Sequence, residues 1–367
     1  MLMKCTLIIL AVSLLGLLTC PSWAGWTFVD LNPAGCSQSN AAGVSGGRVV
    51  GWAPSPPSGN NHAGVWSGTA ASWQDQHPAD YWRSFGHGIA GNTIGGWVGN
   101  LSGDRACTWN ISDGTRVDLG GSFTNSYVFG IAGNEQVGQV ITTGYHAALW
   151  RGTAGSFVDL NPAGAAYSDA VNTSGEVEVG AYSAKSLPGK TDPRACMWRG
   201  DAGSFTSLHP AGHAYSSAYD ASGDQQVGMV DGCASLWTGL ASSWVNLNPA
   251  GCSSSEANGV SNGVQVGDAQ GTATGNSMHA IMWTGTADSW FDLHSLLPAG
   301  YAASAAMSVD VVGDEIWVAG NAGQNPYTSA HAVLWHYTPD PLPEPASLLT
   351  FLCGVTGLCG IALRRRK

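Results

Sequence analysis

The stretch "GWTFVDLNPAG" at positions 25–35 decides the fold, because close copies of it return in the middle of the chain. "GSFVDLNPAG" occupies 155–164 and "SSWVNLNPAG" occupies 242–251. Segments that recur in this way are parts of a structural repeat. The first copy is therefore the last part of a repeat whose other parts lie elsewhere in the sequence.

Two further sequence motifs recur with it. A branched residue followed by Gly appears in each unit, as in Val50-Gly51 and Val137-Gly138, with Val318-Ala319 as the exception. Ala-x-x-Trp occurs seven times, with successive tryptophans 39 to 52 positions apart: Trp66, Trp109, Trp150, Trp198, Trp237, Trp283 and Trp335. Each unit thus contains four short strands, and four antiparallel strands at this spacing are typical of a β-propeller blade.

The order of the words predicts how the ring closes. The last unit has no fourth strand of its own, and Trp26–Leu31 is a fourth strand without a unit. An unpaired sheet edge is a liability, so we expect Trp26–Leu31 to pair beside Ala332–Tyr337. The sequence therefore predicts an all-β, seven-bladed propeller over 25–337, closed by an N-terminal outer strand, with the seven tryptophans filling the gaps between blades. An open solenoid is the alternative, and it would need atypical caps.

Residues 1–24 have the order of a secretory signal peptide. Lys4 precedes an apolar run, and small residues end the segment, which predicts cleavage between Ala24 and Gly25. Acylation at Cys20, as in a lipoprotein, is the alternative. We therefore expect export through the general secretory route.

The C-terminal part contains a candidate membrane anchor. Residues 338–345 form a linker, and the 18 residues from Ala346 to Leu363 carry no charge and are followed by four basic residues. Such a run is long enough to cross a bilayer as a helix. The sequence thus predicts a transmembrane sorting anchor over 346–367, with the membrane as a partner.

Pro343, Glu344 and Pro345 stand directly before this apolar run. The motif, the apolar segment and the Arg cluster together resemble the PEP-CTERM sorting signal of bacterial exported proteins. The resemblance implies an exosortase-type processing enzyme as partner and the cell surface or extracellular space as destination. The words "HAxLW" and "VDLGGS" (117–122) resemble HAF-type extracellular repeats, which implies the fold and the address and no defined activity.

Charge excludes some classes of partner. Residues 25–345 hold all 25 acidic residues and 9 of the 14 basic ones, which gives a net charge of 9 − 25 = −16. Nucleic acid and anionic membrane surfaces are therefore not expected to bind this part of the chain.

Candidate chemical groups are spread around the predicted ring. The histidines after the second strand hold one repeat position in four different blades, so they cannot share a metal ion, and we expect a structural role, such as a hydrogen bond to a neighbouring blade: His62, His146, His279 and His331. The outer-strand acids are expected to cap turns: Asp30, Asp75, Asp118, Asp159 and Asp292. The cysteines of the exported part fall in separate blades and are expected to be unpaired: Cys36, Cys107, Cys196, Cys233 and Cys252. No catalytic residue, cofactor or metal site is predicted.

The repeat is broken at "HPADYWRSFGHG" (77–88), which replaces the usual "NPAG". Side chains that the repeat does not dictate are candidates for binding. The outer-to-inner and second-to-third strand connections lie on one face of the propeller, which we call the upper face. The candidate ligand-binding residues on this face are Trp52, Tyr81, Trp82, Arg83, His87 and Trp97. Aromatic rings beside polar groups suit stacking on sugars, and additional core packing is the alternative.

These observations favour a non-catalytic interaction or structural module at the bacterial cell surface or in the extracellular matrix. An extracellular polysaccharide is the partner that the sorting-signal resemblance suggests. The alternative is a secreted carbohydrate-active enzyme, either a polysaccharide lyase or a hydrolase, since propellers host both binders and enzymes. An enzyme predicts two acids or a His–Tyr pair at the centre of the upper face, a binder predicts exposed aromatic residues without such a pair, and a structural coat component predicts neither.

Overall fold

The computed structural model describes residues 25–55, 59–183 and 192–339. Its 28 strands form seven four-stranded antiparallel sheets, one for each repeat. The segment Thr27–Tyr337 is one compact unit. The predicted seven-bladed propeller is therefore the observed fold.

Each blade is built from four strands in order from the axis outward. The innermost strands are β2 (Asn40–Ser45), β6 (Arg83–Ala90), β10 (Ser126–Ala132), β14 (Tyr167–Thr173), β18 (Ser216–Ser222), β22 (Cys252–Ser261) and β26 (Ala303–Val312). The second strands are β3 (Arg48–Ser55), β7 (Thr93–Asn100), β11 (Glu135–Ile141), β15 (Glu178–Ser183), β19 (Gln225–Val230), β23 (Val264–Gly271) and β27 (Glu315–Asn325). The third strands are β4 (Asn60–Trp66), β8 (Gly103–Asn110), β12 (Tyr145–Trp150), β16 (Arg194–Trp198), β20 (Cys233–Trp237), β24 (Met278–Trp283) and β28 (Ser329–Tyr337).

The outer strands are short. They are β1 (Trp26–Asp30), β5 (Gln74–Asp75), β9 (Arg116–Asp118), β13 (Val158–Asp159), β17 (Thr206–Ser207), β21 (Val245–Asn246) and β25 (Phe291–Asp292). Single 3-10 turns connect the elements at Ala70–Ser72, Ala154–Ser156, Ala202–Ser204, Ala241–Ser243, Thr272–Thr274, Ala287–Ser289 and Leu293–Leu296.

The ring closes as predicted. Strand β1 is the outer strand of the seventh blade and pairs beside β28, in the order β1-β28-β27-β26. The backbone N–H of Leu31 donates to the carbonyl of Ala332 at 2.9 Å. One blade is thus assembled from both ends of the propeller segment.

The seven repeated tryptophans lie between blades. Each is at most 1% exposed, and Trp150 of the third blade packs against Ala106 and Leu119 of the second. Burial of such large rings at every blade interface supplies much of the apolar area that holds the blades together. This prediction is confirmed.

A buried serine joins each blade to the preceding one. Its hydroxyl oxygen accepts the backbone N–H of the alanine in the preceding third strand, as Ser168 does from Ala147 at 2.9 Å. The same bond occurs at all seven interfaces, at 2.8 to 3.0 Å, through Ser39, Ser84, Ser126, Ser168, Ser216, Ser255 and Ser304. These bonds satisfy backbone groups that would otherwise be buried without a partner.

The second strand of every blade needs glycine at one position. A Cβ added to Gly138 would lie 1.9 Å from the carbonyl oxygen of Tyr127 in the inner strand. Equivalent contacts of 1.8 to 2.2 Å occur at Gly51, Gly96, Gly180, Gly228, Gly267 and Gly320. This corrects the second repeat motif in two blades: the required glycine is Gly96, not Gly95 after Ile94, in blade two, and Gly320 in blade seven. The residues before these glycines are Gly95 and Ala319 rather than branched residues.

The predicted fold class is wrong in one respect: the C-terminal transmembrane helix is not among the elements observed in the described residues. In residues 25–55, 59–183 and 192–339 the only helices are 3-10 turns of three or four residues, and none of them could span a membrane. The described structure is thus entirely β. The signal peptide (1–24), the Pro343-Glu344-Pro345 motif and the anchor segment (346–367) lie outside the described residues.

Candidate functional site

Every inner strand carries a β-bulge at the same place. The register slips by one residue there, as between Ala218 and Asp220 in β18. A bulge re-aims one side chain away from the ordinary alternation of a strand. The seven bulged residues are Ala42, His87, Phe129, Val171, Tyr219, Asn258 and Met307, and all of them line one central cavity.

This central cavity has a volume of about 710 Å³ and runs along the axis of the propeller. The size is within the range of small-molecule binding pockets, roughly 300–1,000 Å³. Each blade contributes its bulged residue, and the backbone after the bulge forms much of the remaining surface. The cavity is therefore shaped by the same irregularity in all seven repeats.

An aromatic wall stands at the upper end of blades one to three; the upper face is the one that carries the outer-to-inner connections. We define the wall as Trp52, Phe85, Trp97 and Tyr127, all of them half-buried. Phe85 stacks on Trp97 with ring centres 4.4 Å apart, Trp52 meets Phe85 edge-on at 5.7 Å, and Trp97 meets Tyr127 edge-on at 5.4 Å. Tyr127 in turn stacks on Phe129, which lines the cavity.

Polar groups fix the wall in place. The guanidinium carbon of Arg83 lies 5.2 Å from the centre of the Trp97 ring, within cation–π range. Arg83 also donates to Asp104 at 3.1 Å, and the Tyr127 hydroxyl donates to the same carboxylate at 3.0 Å. The Arg83 side chain is 51% exposed, so the outer edge of the wall is charged and accessible to solvent.

His87 connects the wall to the cavity. The indole N–H of Trp97 donates to Nε2 of His87 at 3.1 Å. Burial lowers the pKa of His87 to about 4, so the ring is neutral near pH 7. Because Nε2 accepts from Trp97, the ring proton resides on Nδ1.

An acidic pair lies in blade six, and one of its two members lines the cavity. Glu256 lines the cavity, and Asp268 is its cross-strand neighbour on β23, so both side chains share one face of the sheet. Asp268 is 4% exposed and accepts from the Tyr327 hydroxyl at 2.7 Å and from the Asn258 amide at 3.2 Å.

The surroundings make both acids weak. Burial, with the nearby Asp268 charge as a second cause, raises the pKa of Glu256 to about 7. Burial raises the pKa of Asp268 to about 6, against the two hydrogen bonds that favour its charged form. Burial also raises the pKa of the neighbouring Tyr219 hydroxyl, which therefore stays protonated. The pair carries less than its full charge near neutral pH.

A third buried carboxyl links blades below this level. Asp220 accepts from the Asn172 amide at 2.7 Å and from the backbone N–H groups of Ala221 and Val260 at 2.8 Å. Burial raises its pKa to about 7. Its three donors come from blades four, five and six, which indicates a structural role.

The structure brings four of the six predicted ligand-binding residues together. Trp52 and Trp97 belong to the aromatic wall, and Arg83 and His87 contact Trp97 directly. Tyr81 packs instead against a buried cluster shared by blades one and two, with the guanidinium carbon of Arg116 5.0 Å from its ring centre.

Trp82 is the sixth predicted residue. It lies on the outer surface and is 53% exposed. Its backbone N–H donates to the carbonyl of Gly99 at 3.0 Å, so the chain is held there while the indole remains in solvent. Trp82 is therefore not part of the aromatic wall.

The repeated histidines and acids form one set of pairs. Nδ1 of His146 lies 2.9 Å from the Asp159 carboxylate, whose other oxygen accepts the Asn161 N–H at 2.8 Å. The same arrangement joins His62 to Asp75, His279 to Asp292 and His331 to Asp30, with Arg105 replacing the histidine opposite Asp118. The acids cap turns as predicted. The expected histidine bond to a neighbouring blade is wrong, because the partner is the next strand of the same sheet.

The structure also gives the state of the cysteines and of the side chains that could bind a metal ion. The five cysteines of the described residues are free thiols, and Cys107 and Cys196 are buried. Within residues 25–55, 59–183 and 192–339, no group of three or more His, Cys, Asp and Glu side chains is arranged to hold a metal ion.

The sequence reading missed Phe85, Tyr127, Glu256 and Asp268. A signal for the site was nevertheless present in the aligned repeats. The column of bulged residues contains seven different residue types in seven copies, next to columns of nearly constant serine and glycine. A variable column inside a regular repeat indicates side chains that the scaffold does not require.

Comparison with known proteins adds information on the fold. No family model matches the chain, and no curated protein does. Among solved structures, a puromycin hydrolase complexed with PGG aligns with a TM-score of 0.55 at 12% identity, over 81% of this chain and 51% of the hydrolase.

Two further structures align more loosely. TolB from Acinetobacter baumannii has a TM-score of 0.47 at 11% identity over 67% of this chain, and an oligogalacturonate lyase in complex with manganese has 0.48 at 8% identity over 86%. The chain spans 63% of TolB and about half of the hydrolase. At 12% identity the alignment with the hydrolase shows the propeller scaffold alone.

Proposed function

We propose that this protein is a non-catalytic carbohydrate-binding propeller of the bacterial cell surface or extracellular matrix. The aromatic wall carries the proposal. Its half-buried rings continue through His87 and Phe129 into the central cavity. Flat aromatic surfaces beside hydrogen-bonding groups suit the apolar faces and hydroxyl groups of sugar rings.

The export part of the proposal comes from the sequence. Residues 1–24 would direct secretion, and an exosortase-type enzyme would act near Pro343-Glu344-Pro345. Mass spectrometry of the protein recovered from cell-surface and medium fractions tests this part. A mature N-terminus at Gly25 is expected, and an intact Met1 in both fractions would contradict it.

Binding is tested with purified full-length protein and immobilised polysaccharides, including the exopolysaccharide of the producing cells. We expect retention that Trp97→Ala weakens by about five- to 150-fold, since loss of one aromatic ring that stacks on a nucleic-acid base costs on the order of 1–3 kcal/mol. Trp317→Ala is the matched control, because Trp317 is half-buried, stacks on His336 at 3.3 Å and lies in blade seven outside the wall. Equal loss in both variants, or no retention on any polysaccharide, would contradict the proposal.

A carbohydrate-active enzyme is the second candidate, and the acidic pair favours it. Glu256 and Asp268 meet the expectation of two acids near the centre of the upper face, and their pKa values of about 7 and 6 would suit proton transfer near neutral pH. However, they stand side by side on one sheet, whereas glycosidase carboxylates flank the bond that they cleave. Chromatography of the incubated polysaccharide decides: shortened chains that Glu256→Gln abolishes would establish the enzyme.

A further inference from the structure

The central cavity is chemically uneven. His87 and Phe129 lie on the side of blades two and three, whereas Glu256, Asn258 and Tyr327 lie on the side of blades six and seven. A ligand that fills this space therefore meets the rings of His87 and Phe129 on one side and the Glu256 carboxyl on the other. This asymmetry restricts the class of sugar that fits.

The Glu256 carboxyl is available for a ligand. No described residue donates a hydrogen bond to it. Asp268 is the acidic group beside it, and Tyr219 and Tyr327 also lie near it. A partly buried carboxylate without a donor is a costly arrangement. A cationic group that enters the cavity would supply the missing partner and favour the ionised form.

His87 offers a second, independent group. Trp97 occupies its Nε2, so the neutral ring presents Nδ1–H, and no described residue accepts from that atom. Because His87 lines the cavity, this donor is placed for an oxygen of the ligand. A ligand with an acceptor at one end and a cation at the other satisfies both sides.

We propose that the central cavity binds a sugar that carries a free amino group, with the ammonium at Glu256 and a ring or hydroxyl oxygen at Nδ1 of His87. This inference rests on the proposed carbohydrate-binding function and narrows it to glycans with non-acetylated hexosamine units. Asp268, held by Tyr327 and Asn258, adds negative potential beside Glu256. Uronic-acid polymers are disfavoured by the same carboxyl groups and by the net charge of −16 (9 − 25) over residues 25–345.

The experiment compares two probes that differ only in the acetyl groups. Full-length protein is titrated calorimetrically at pH 7 with glucosamine hexamer and with N-acetylglucosamine hexamer. We expect about tenfold tighter binding of the amino form, which corresponds to one charge-assisted contact. Glu256→Gln should bring the two affinities within about threefold, because it keeps the shape and removes the charge.

Glu176→Gln is the matched control, because Glu176 is exposed and lines a different surface depression. It should keep the full preference for the amino form. Thermal unfolding of each variant shows whether it is folded, and the acetylated probe provides a second reading of a folded site.

The outcomes separate this inference from the proposed function. Equal or tighter binding of the acetylated hexamer, lost in Trp97→Ala, would overturn the amino-sugar inference and leave the carbohydrate-binding function in place. An amino-form preference that persists in Glu256→Gln would overturn the assigned contact. Binding of neither hexamer, with no retention on the polysaccharides above, would overturn both.

Discussion

Asp30 and His331 come from the two ends of the propeller segment and meet in one hydrogen bond, with His331 Nδ1 2.7 Å from the Asp30 carboxylate. The same carboxylate oxygen also accepts the Tyr301 hydroxyl at 2.7 Å. The equivalent Asp159 in blade three pairs with His146. Asp30 therefore holds one more partner than its counterpart, at the place where the ring is closed.

This relationship predicts a difference between two equivalent substitutions. Asp30→Ala removes the His331 and Tyr301 bonds from the closing blade and should lower the free energy of unfolding by about 1–3 kcal/mol. Asp159→Ala, inside a continuous blade, should cost about 1 kcal/mol. Urea unfolding of both variants checks the order, and a larger loss for Asp159→Ala would contradict it.

Gly138→Ala should prevent or severely weaken folding. Its Cβ would lie 1.9 Å from the carbonyl oxygen of Tyr127, a backbone atom that the neighbouring strands hold in place. Gly155→Ala is the control, because its Cβ would meet nothing within 4 Å. Soluble yield and circular dichroism should separate the two variants; a normally folded Gly138→Ala protein would show that the strand spacing is wrong.

Ser168→Ala tests the bond that joins blades three and four. The substitution leaves the buried Ala147 N–H without its acceptor and should cost about 1–3 kcal/mol of unfolding free energy. Ser37 is exposed, and Ser37→Ala should change stability by less than about 0.5 kcal/mol. Chemical denaturation measures both, and similar values for the two variants would refute a stabilising role for the serine column.

Glu178 predicts how stability depends on pH. It is 1% exposed and accepts the Gly200 N–H at 2.9 Å, and burial together with the adjacent Glu135 raises its pKa to about 7 from 4.5. The folded state thus binds this proton more tightly than the unfolded state does. Its contribution to stability is complete below pH 4.5 and is lost as the pH rises through 7.

Glu178→Gln should remove part of this pH dependence. Gln136 and Gln226 hold the equivalent position in neighbouring blades and accept the corresponding glycine N–H at 2.8 and 2.7 Å, so an amide fits. We expect the variant to be more stable than the natural protein at pH 8 and to lose less stability between pH 5 and 8. The exposed Glu176→Gln is the control; parallel melting curves for Glu178→Gln and the natural protein across this range would contradict the assignment.

The ring could be predicted from the sequence because the repeated motifs correspond to positions that are buried in every blade. Trp150 and its six equivalents recur since each blade interface has the same gap, and the unmatched outer strand at Trp26–Leu31 identifies the closing blade. Glu256 and Asp268 could not be found in this way. A strand read with strict alternation loses its phase at the bulge, so the direction of side chains around Asn258 depends on one extra residue that only the strand register shows.

The bulge column has a consequence for how this chain can change. Serine, glycine and tryptophan recur at the contacts within and between blades, whereas the bulged position, from Ala42 to Met307, holds a different residue type in each copy. New binding specificities could arise by substitution of these seven residues one at a time, while the propeller scaffold stays intact. The repeat thus provides seven variable side chains around one cavity, carried by a constant scaffold.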